Sequence, residues 1–229
     1  MILTIQFVLS IMIIMFLLLA SLFLFLIVNK AKSNRLSLQI EQKKELLRDR
    51  FFQYLYEGVE TSTIIPKDEK SFLALESLLH DFADVSSGEE MKQRIKRFAE
   101  QHFTPYYKKN LFRSRWAVKM NILYAIEKFQ ITNMTDEVLK YLQKRNLTKA
   151  ENSQLLKILV MLEHPTLFDY LMNTETALSE FVYRTLIGSM SDEQWDELVR
   201  KHNELPQEIK LPLLDMNGIQ TKDIYFPYL

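Results

Sequence analysis

A continuous apolar run opens the chain. Residues 2–28 carry no charged side chain. Four polar residues interrupt the run: Thr4, Gln6, Ser10 and Ser21. Because about 20 apolar residues at 1.5 Å per residue cross the core of a bilayer, a run of this length predicts a membrane-spanning helix. A cleaved signal peptide is the alternative, but its apolar core is only roughly 7–15 residues long and normally follows basic residues. We therefore predict a transmembrane anchor over residues 1–29.

Beyond this run, apolar residues recur at intervals of three and four, the period of an amphipathic α-helix. Examples are Phe72, Leu75, Leu78, Leu79 and Phe82, and later Leu155, Ile158, Leu159 and Leu162. Glycine occurs only 4 times, so turn residues are too sparse for a many-stranded sheet. The pattern predicts an all-α chain. We expect a basic juxtamembrane helix over residues 30–57 that stops at Gly58, a linker over 58–67, and a helical domain over 68–229.

Helix-start signals support the same division. Three pairs fit the capping box, in which a hydroxyl and a later carboxylate or amide bind free backbone donors: Ser87 with Glu90, Thr148 with Glu151, and Ser191 with Gln194. Two prolines, Pro105 and Pro165, follow residues at which a first helical turn is expected.

Pairs of apolar segments repeat along the second half of the chain. The segments are 122–126 with 136–142, 158–162 with 165–171, and 185–188 with 192–198. They recur about 27 to 36 residues apart, as in stacked helical hairpins that bury their apolar faces only against their neighbours. The sequence therefore predicts a helical-hairpin solenoid or, alternatively, a non-repetitive helical bundle.

The order of these segments resembles that of bacterial membrane-anchored HEAT-like repeat proteins. In such proteins one membrane helix precedes a basic helix of the Arg-x-Arg-Phe type, here Arg48-Asp49-Arg50-Phe51, and a short HEAT-like domain. The resemblance implies an α-solenoid with a protein partner, and it suggests a membrane glycosyltransferase system as that partner. The chain lacks the Asp-Pro turn and following Val-Arg of HEAT units, so the helical bundle stays open as the alternative.

The distribution of charge predicts an orientation. The chain carries 29 basic and 29 acidic residues, and this balance gives no reason to expect a nucleic-acid ligand. Lys30, Lys32 and Arg35 directly follow the apolar run, and no Lys or Arg precedes it. Under the positive-inside rule, a single-pass protein of the cell membrane results, with its N-terminus outside and residues 30–229 in the cytoplasm.

A search for reactive groups favours a non-enzymatic protein. The four histidines are far apart and lack partners at metal-ligand spacing: His80, His102, His164 and His202. The glycines are equally isolated, so no phosphate-binding loop is expected, and there is no cysteine. We predict no catalytic residue, no metal, no cofactor and no small-molecule substrate.

One stretch, residues 106–119, is both basic and aromatic, and we call it the basic aromatic stretch. Its candidate partner- or lipid-binding residues are Lys108, Lys109, Arg113, Arg115, Trp116 and Lys119. Such a stretch suits an acidic protein or anionic lipid headgroups. The alternative is a solvated helix face whose aromatic rings point inward. A second apolar segment, residues 223–229, is expected to cap the last helix pair or to be offered to a partner.

Two functional hypotheses follow. The first is a membrane-tethered scaffold or adaptor that binds a protein at the cytoplasmic face of the membrane, since solenoids present extended surfaces. The second is an accessory subunit of a membrane complex that assembles through the transmembrane helix itself.

Overall fold

A computed structural model describes residues 2–59, 64–86, 88–173 and 178–219. These residues form α-helices and one 3₁₀ helix, and no strand lies within them, so the predicted all-α class is confirmed. The helices are α1 (Ile2–Glu57), α2 (Glu69–Val85), α3 (Glu89–His102), α4 (Thr104–Asn110), α5 (Trp116–Lys128), the 3₁₀ helix (Thr132–Met134), α6 (Thr135–Leu142), α7 (Lys149–Met161), α8 (Thr166–Asn173), α9 (Glu180–Gly188), α10 (Asp192–Arg200) and α11 (Gln207–Ile219). The C-terminal segment 223–229 lies outside the described residues.

The apolar run and the juxtamembrane segment form one uninterrupted helix, α1. Every side chain of residues 11–28 is exposed except Ala20, which is half-buried, and the helix is long and apolar enough to cross a membrane. The helix ends where the sequence predicted. Gly58 adopts φ 76°, a left-handed conformation that glycine reaches without a steric penalty, and its N–H donates to the carbonyl of Tyr54 at 2.9 Å.

Helix α2 lies along the C-terminal half of α1 and runs in the same direction. Near its start, Lys70 donates to Gln39 at 2.7 Å. Near its end, the ring of Phe82 lies 5.9 Å from that of Phe51 and 6.1 Å from that of Phe52. The two helices belong to a compact unit that ends at Asp84.

Ion pairs connect α1 to α2 and to the residue before it within the first unit. Lys43 binds Asp68 at 2.7 Å and Lys44 binds Asp81 at 2.7 Å. The Asp68 carboxylate also accepts bonds from the Ser71 N–H and hydroxyl, and the bond from Lys43 is the main reason why the pKa of Asp68 lies far below its usual value.

Helices α3 to α11 belong to the second compact unit, which begins at Val85, while the domain bounds drawn from the sequence stay predictions. Within it, alternate helices pack in succession: α5 on α7, α7 on α9, and α9 on α11. The intervening helices are linked as well, since the Tyr170 hydroxyl of α8 donates to the Leu142 carbonyl of α6 at 3.2 Å. The Lys201 ammonium after α10 lies 5.1 Å from the centre of the Phe168 ring of α8. The three predicted segment pairs thus fall on α5 and α6, α7 and α8, and α9 and α10.

The structure confirms the predicted helix starts that lie within the described residues. Thr148 and Ser191 each complete a reciprocal capping box, and Pro105 occupies the first turn of α4. Ser87, the third capping candidate, is outside the described residues. The core positions between these starts, including Ile122 and Leu159, are buried.

Candidate interaction surface

The basic aromatic stretch comprises the end of α4, a turn and the start of α5. The turn is held by Asn110, whose amide donates to the Tyr106 carbonyl at 2.9 Å and whose side-chain oxygen accepts from the Ser114 hydroxyl at 3.1 Å. Arg115 then takes an extended conformation as the N-cap of α5. The cations of the stretch therefore lie on two helices and a turn rather than along one helical edge.

The aromatic side chains of the stretch divide between the core and the surface. Tyr107 is buried and packs with its ring 6.0 Å from that of Phe103. Trp116, in contrast, is 52% exposed. The expectation of a face with all its aromatic rings turned inward therefore fails at Trp116, the residue type most often found at the centre of binding interfaces.

The predicted site cations differ in their pairing. Lys108 binds Glu137 of α6 at 3.1 Å, and this carboxylate is mostly shielded from solvent. Within the described part of the chain, Lys109, Arg113, Arg115 and Lys119 form no ion pair; the first three are exposed and Lys119 is half-buried. Three exposed cations of the stretch thus form no ion pair in these residues, whereas the charge of Lys119 acts on the Glu151 carboxylate.

The fold brings a second basic segment against the stretch. We call residues 143–149 the basic turn, because it connects α6 to α7 and carries Lys144, Arg145 and Lys149. The Lys144 ammonium lies 4.9 Å from the centre of the Phe112 ring, and the Trp116 indole N–H donates to the Thr148 hydroxyl at 3.4 Å. The stretch and the basic turn together form what we call the basic aromatic surface.

A buried carboxylate fixes the basic turn in place. Glu151 is only 6% exposed and accepts a bond from the Tyr141 hydroxyl at 2.5 Å. Its other oxygen accepts from the Thr148 N–H at 2.9 Å and from the Thr148 hydroxyl at 2.7 Å. Because both oxygens are engaged, the arrangement holds the end of α6 and the start of α7 together.

The directions of the pKa shifts around Glu151 follow from these contacts. Burial acts to raise the pKa of Glu151, but the bonds from Tyr141 and Thr148 outweigh burial and the pKa is lowered. Burial and the bond to Glu151 raise the pKa of Tyr141, so the phenol stays protonated. The pKa of Lys144 is lowered, first by burial and then by the nearby charge of Lys119.

Sequence reasoning missed the contribution of the basic turn. Four basic and no acidic residues lie between Glu137 and Glu151, a signal that is visible in the sequence. What the sequence does not display is that residues about 30 positions apart meet, since this depends on how α5 packs on α7.

Comparison with protein-family models, curated proteins and solved structures finds no match to this chain. Among the described residues, no group of three or more His, Asp or Glu side chains is arranged to hold a metal ion.

Proposed function

We propose that this protein is a non-enzymatic, membrane-anchored adaptor that binds an acidic protein partner at the cytoplasmic face of the membrane through its basic aromatic surface. The observation that carries the proposal is the exposed Trp116, which belongs to a stretch whose exposed cations Lys109, Arg113 and Arg115 form no ion pair in the described residues. Tryptophan and arginine dominate the energetics of protein interfaces because they combine large contact areas with polar groups.

Anchoring in the membrane rests on α1. Over residues 11–28 the apolar surface is exposed all round the helix. Such a surface is unfavourable in water and favourable in lipid. The basic residues after the span support the cytoplasmic side, because Lys and Arg concentrate there.

The packing of alternate helices in the second unit supports the proposal of a HEAT-like adaptor rather than a compact bundle. The succession α5, α7, α9 and α11 is what stacked hairpins produce, and such stacks present long surfaces. A membrane glycosyltransferase system as the partner rests on the family resemblance alone.

Helix α1 continues well beyond the apolar run within the first unit. Phe82 at the end of α2 lies beside Phe51, which is 23 residues beyond Val28 on an unbroken helix. At 1.5 Å per residue this places the end of the unit about 35 Å from the apolar run along the helix axis.

The test uses the full chain in its native membrane. After chemical crosslinking, the triple variant Lys109→Glu, Arg113→Glu, Arg115→Glu is compared with the wild type by affinity purification. We expect loss of a partner that the wild type captures, because three exposed cations become anions. The matched control is Lys92→Glu, Arg97→Glu, Lys210→Glu, which makes the same charge change outside the surface and should keep the partner.

A lipid ligand predicts a different result. The full chain in nanodiscs of neutral phosphatidylcholine is compared with the chain in nanodiscs that contain phosphatidylglycerol. Under the proposal the tryptophan emission, to which the exposed Trp116 and the buried Trp195 contribute, is the same in both. A blue shift in the anionic discs that the triple variant abolishes, together with an unchanged crosslinking pattern, would contradict a protein partner.

The second functional candidate, assembly through the membrane helix, is supported by the exposed side chains of residues 11–28, which leave room for a partner helix. Replacement of residues 2–28 by 27 leucines separates the two functions. The adaptor keeps its crosslinked partner when this segment only anchors it, whereas an accessory subunit loses its complex because sequence-specific helix packing is gone.

A further inference from the structure

A groove of about 460 Å³ opens on the second unit, between α5, α7 and the start of α9. Its walls include Tyr124 of α5, Lys149 and Lys157 of α7, and Val182 of α9. Leu178, just before α9, completes an apolar patch with Val182. The volume lies within the range of specific binding sites, roughly 300–1,000 Å³.

Two features of the groove favour a negatively charged ligand. Lys149 and Lys157 form no ion pair among the described residues. Two acidic residues of the described part of the chain nearby are already engaged: Glu127 accepts a bond from Gln154, and Glu180 binds Arg184 at 2.7 Å. The groove therefore has two lysines whose charges are not neutralised within the described structure.

The spacing of these lysines indicates the shape of the ligand. They lie eight residues apart on one helix, which is about 12 Å at 1.5 Å per residue. Two carboxylates spaced like the backbone positions of these lysines can pair with one ammonium each. In an extended peptide, residues i and i+4 are about 13 Å apart and point to the same side, and residue i+2 points there as well.

We propose that the groove binds an extended acidic segment of a partner protein with the pattern acidic-x-apolar-x-acidic. The two carboxylates pair with Lys149 and Lys157, while the apolar side chain rests on Leu178 and Val182 beside the half-exposed ring of Tyr124. This inference rests on the proposed function, since Lys149 belongs to both the basic turn and the groove.

The test uses the full chain in phosphatidylcholine nanodiscs and fluorescein-labelled peptides, with binding followed by fluorescence anisotropy. The probe peptide contains Glu-Ser-Leu-Ser-Glu. Three control peptides contain Gln-Ser-Leu-Ser-Gln, Glu-Ser-Ser-Ser-Glu and the register-shifted Glu-Leu-Ser-Glu-Ser. We expect each control to bind at least about tenfold more weakly, because it loses the charges, the apolar anchor or the spacing.

A charge exchange tests the two lysines directly. The variant Lys149→Glu, Lys157→Glu should lose binding of the probe by about tenfold or more and should gain binding of a Lys-Ser-Leu-Ser-Lys peptide. The gain requires a folded groove, so a merely unfolded variant cannot mimic it. The double variant Lys92→Glu, Lys210→Glu is the matched control and should bind the probe like the wild type.

The proposal is overturned by equal affinity for the probe and its glutamine control, by no binding of any peptide up to millimolar concentration, or by no exchange of preference in the charge-swapped variant. Its failure is distinguishable from that of the adaptor function. If a partner is captured in membranes but the probe does not bind, only the proposed groove ligand is contradicted. If the probe binds but no partner is captured, only the adaptor function is contradicted.

Discussion

At the scale of single residues, Glu151 shows how a polar group within a helical core is kept ionised. Its carboxylate is the second half of the capping box of Thr148 and also accepts from Tyr141, so one side chain satisfies free donors of α7 and the phenol of α6. The capping box was visible in the sequence as Thr148 followed by Glu151. The bond from Tyr141 was not, because nothing in the local pattern shows which helix lies above the cap.

This carboxylate predicts a dependence of stability on pH. Its pKa is lower in the folded protein than the ordinary value of 4.5, so its contribution is fully present above that value and is lost as the pH falls through the folded pKa. Glu151→Gln should therefore remove part of the loss of stability in acid. At neutral pH it should cost about 1–3 kcal/mol, because the amide replaces charge-assisted bonds.

Thermal unfolding of the full chain in detergent, measured between pH 3 and pH 7, checks this expectation. Tyr141→Phe is the control, since it removes one bond to Glu151 and keeps the carboxylate. A pH profile of Glu151→Gln parallel to that of the wild type would show that other carboxylates determine acid stability.

At the scale of elements, the helices and their starts could be predicted, but the packing partners could not. The positions of Gly58, Thr148 and Ser191 determine helix ends through local backbone chemistry, and the structure confirms each one. The packing of α2 alongside α1 depends on contacts such as that between Lys44 and Asp81, which are 37 residues apart. The periodicity of apolar residues does not predict such contacts. The division of the basic aromatic stretch by a turn was likewise hidden, since all its residue types tolerate a helix.

The succession of alternate helices predicts which substitutions destabilise the second unit. Ile122 of α5 and Leu159 of α7 are 2% and 0% exposed, so truncation of either to alanine should cost about 2–5 kcal/mol through lost burial and the cavity left behind. Tyr124→Ala is the matched control, because this residue of α5 is 48% exposed and its loss should cost much less. Chemical denaturation followed by circular dichroism measures all three, and a neutral result at Ile122 and Leu159 would contradict the packing of α5 on α7.

At the scale of the whole molecule, a single helix joins an apolar segment to a basic one without a break. The orientation of the protein then depends on which side of the bilayer receives Lys30, Lys32 and Arg35. Transfer of such charges across a membrane is disfavoured, and the positive-inside rule reflects this cost. Every proposal about a cytoplasmic partner depends on this orientation.

The absence of cysteine from the sequence makes this orientation directly measurable. In a variant with Asp196→Cys, the new thiol stands at an exposed position of α10, and in a second variant with Ile2→Cys it stands at the first residue of the apolar run. A maleimide that cannot cross membranes is added to intact cells. We expect it to label the thiol at position 2 at once and the thiol at position 196 only after the membrane is permeabilised, because the basic flank keeps the helical units in the cytoplasm.

Replacement of Lys30, Lys32 and Arg35 by glutamine, with three lysines added before Ile2, should reverse both results. Immediate labelling at position 196 in the otherwise unchanged protein would place the basic aromatic surface outside the cell and would contradict a cytoplasmic partner.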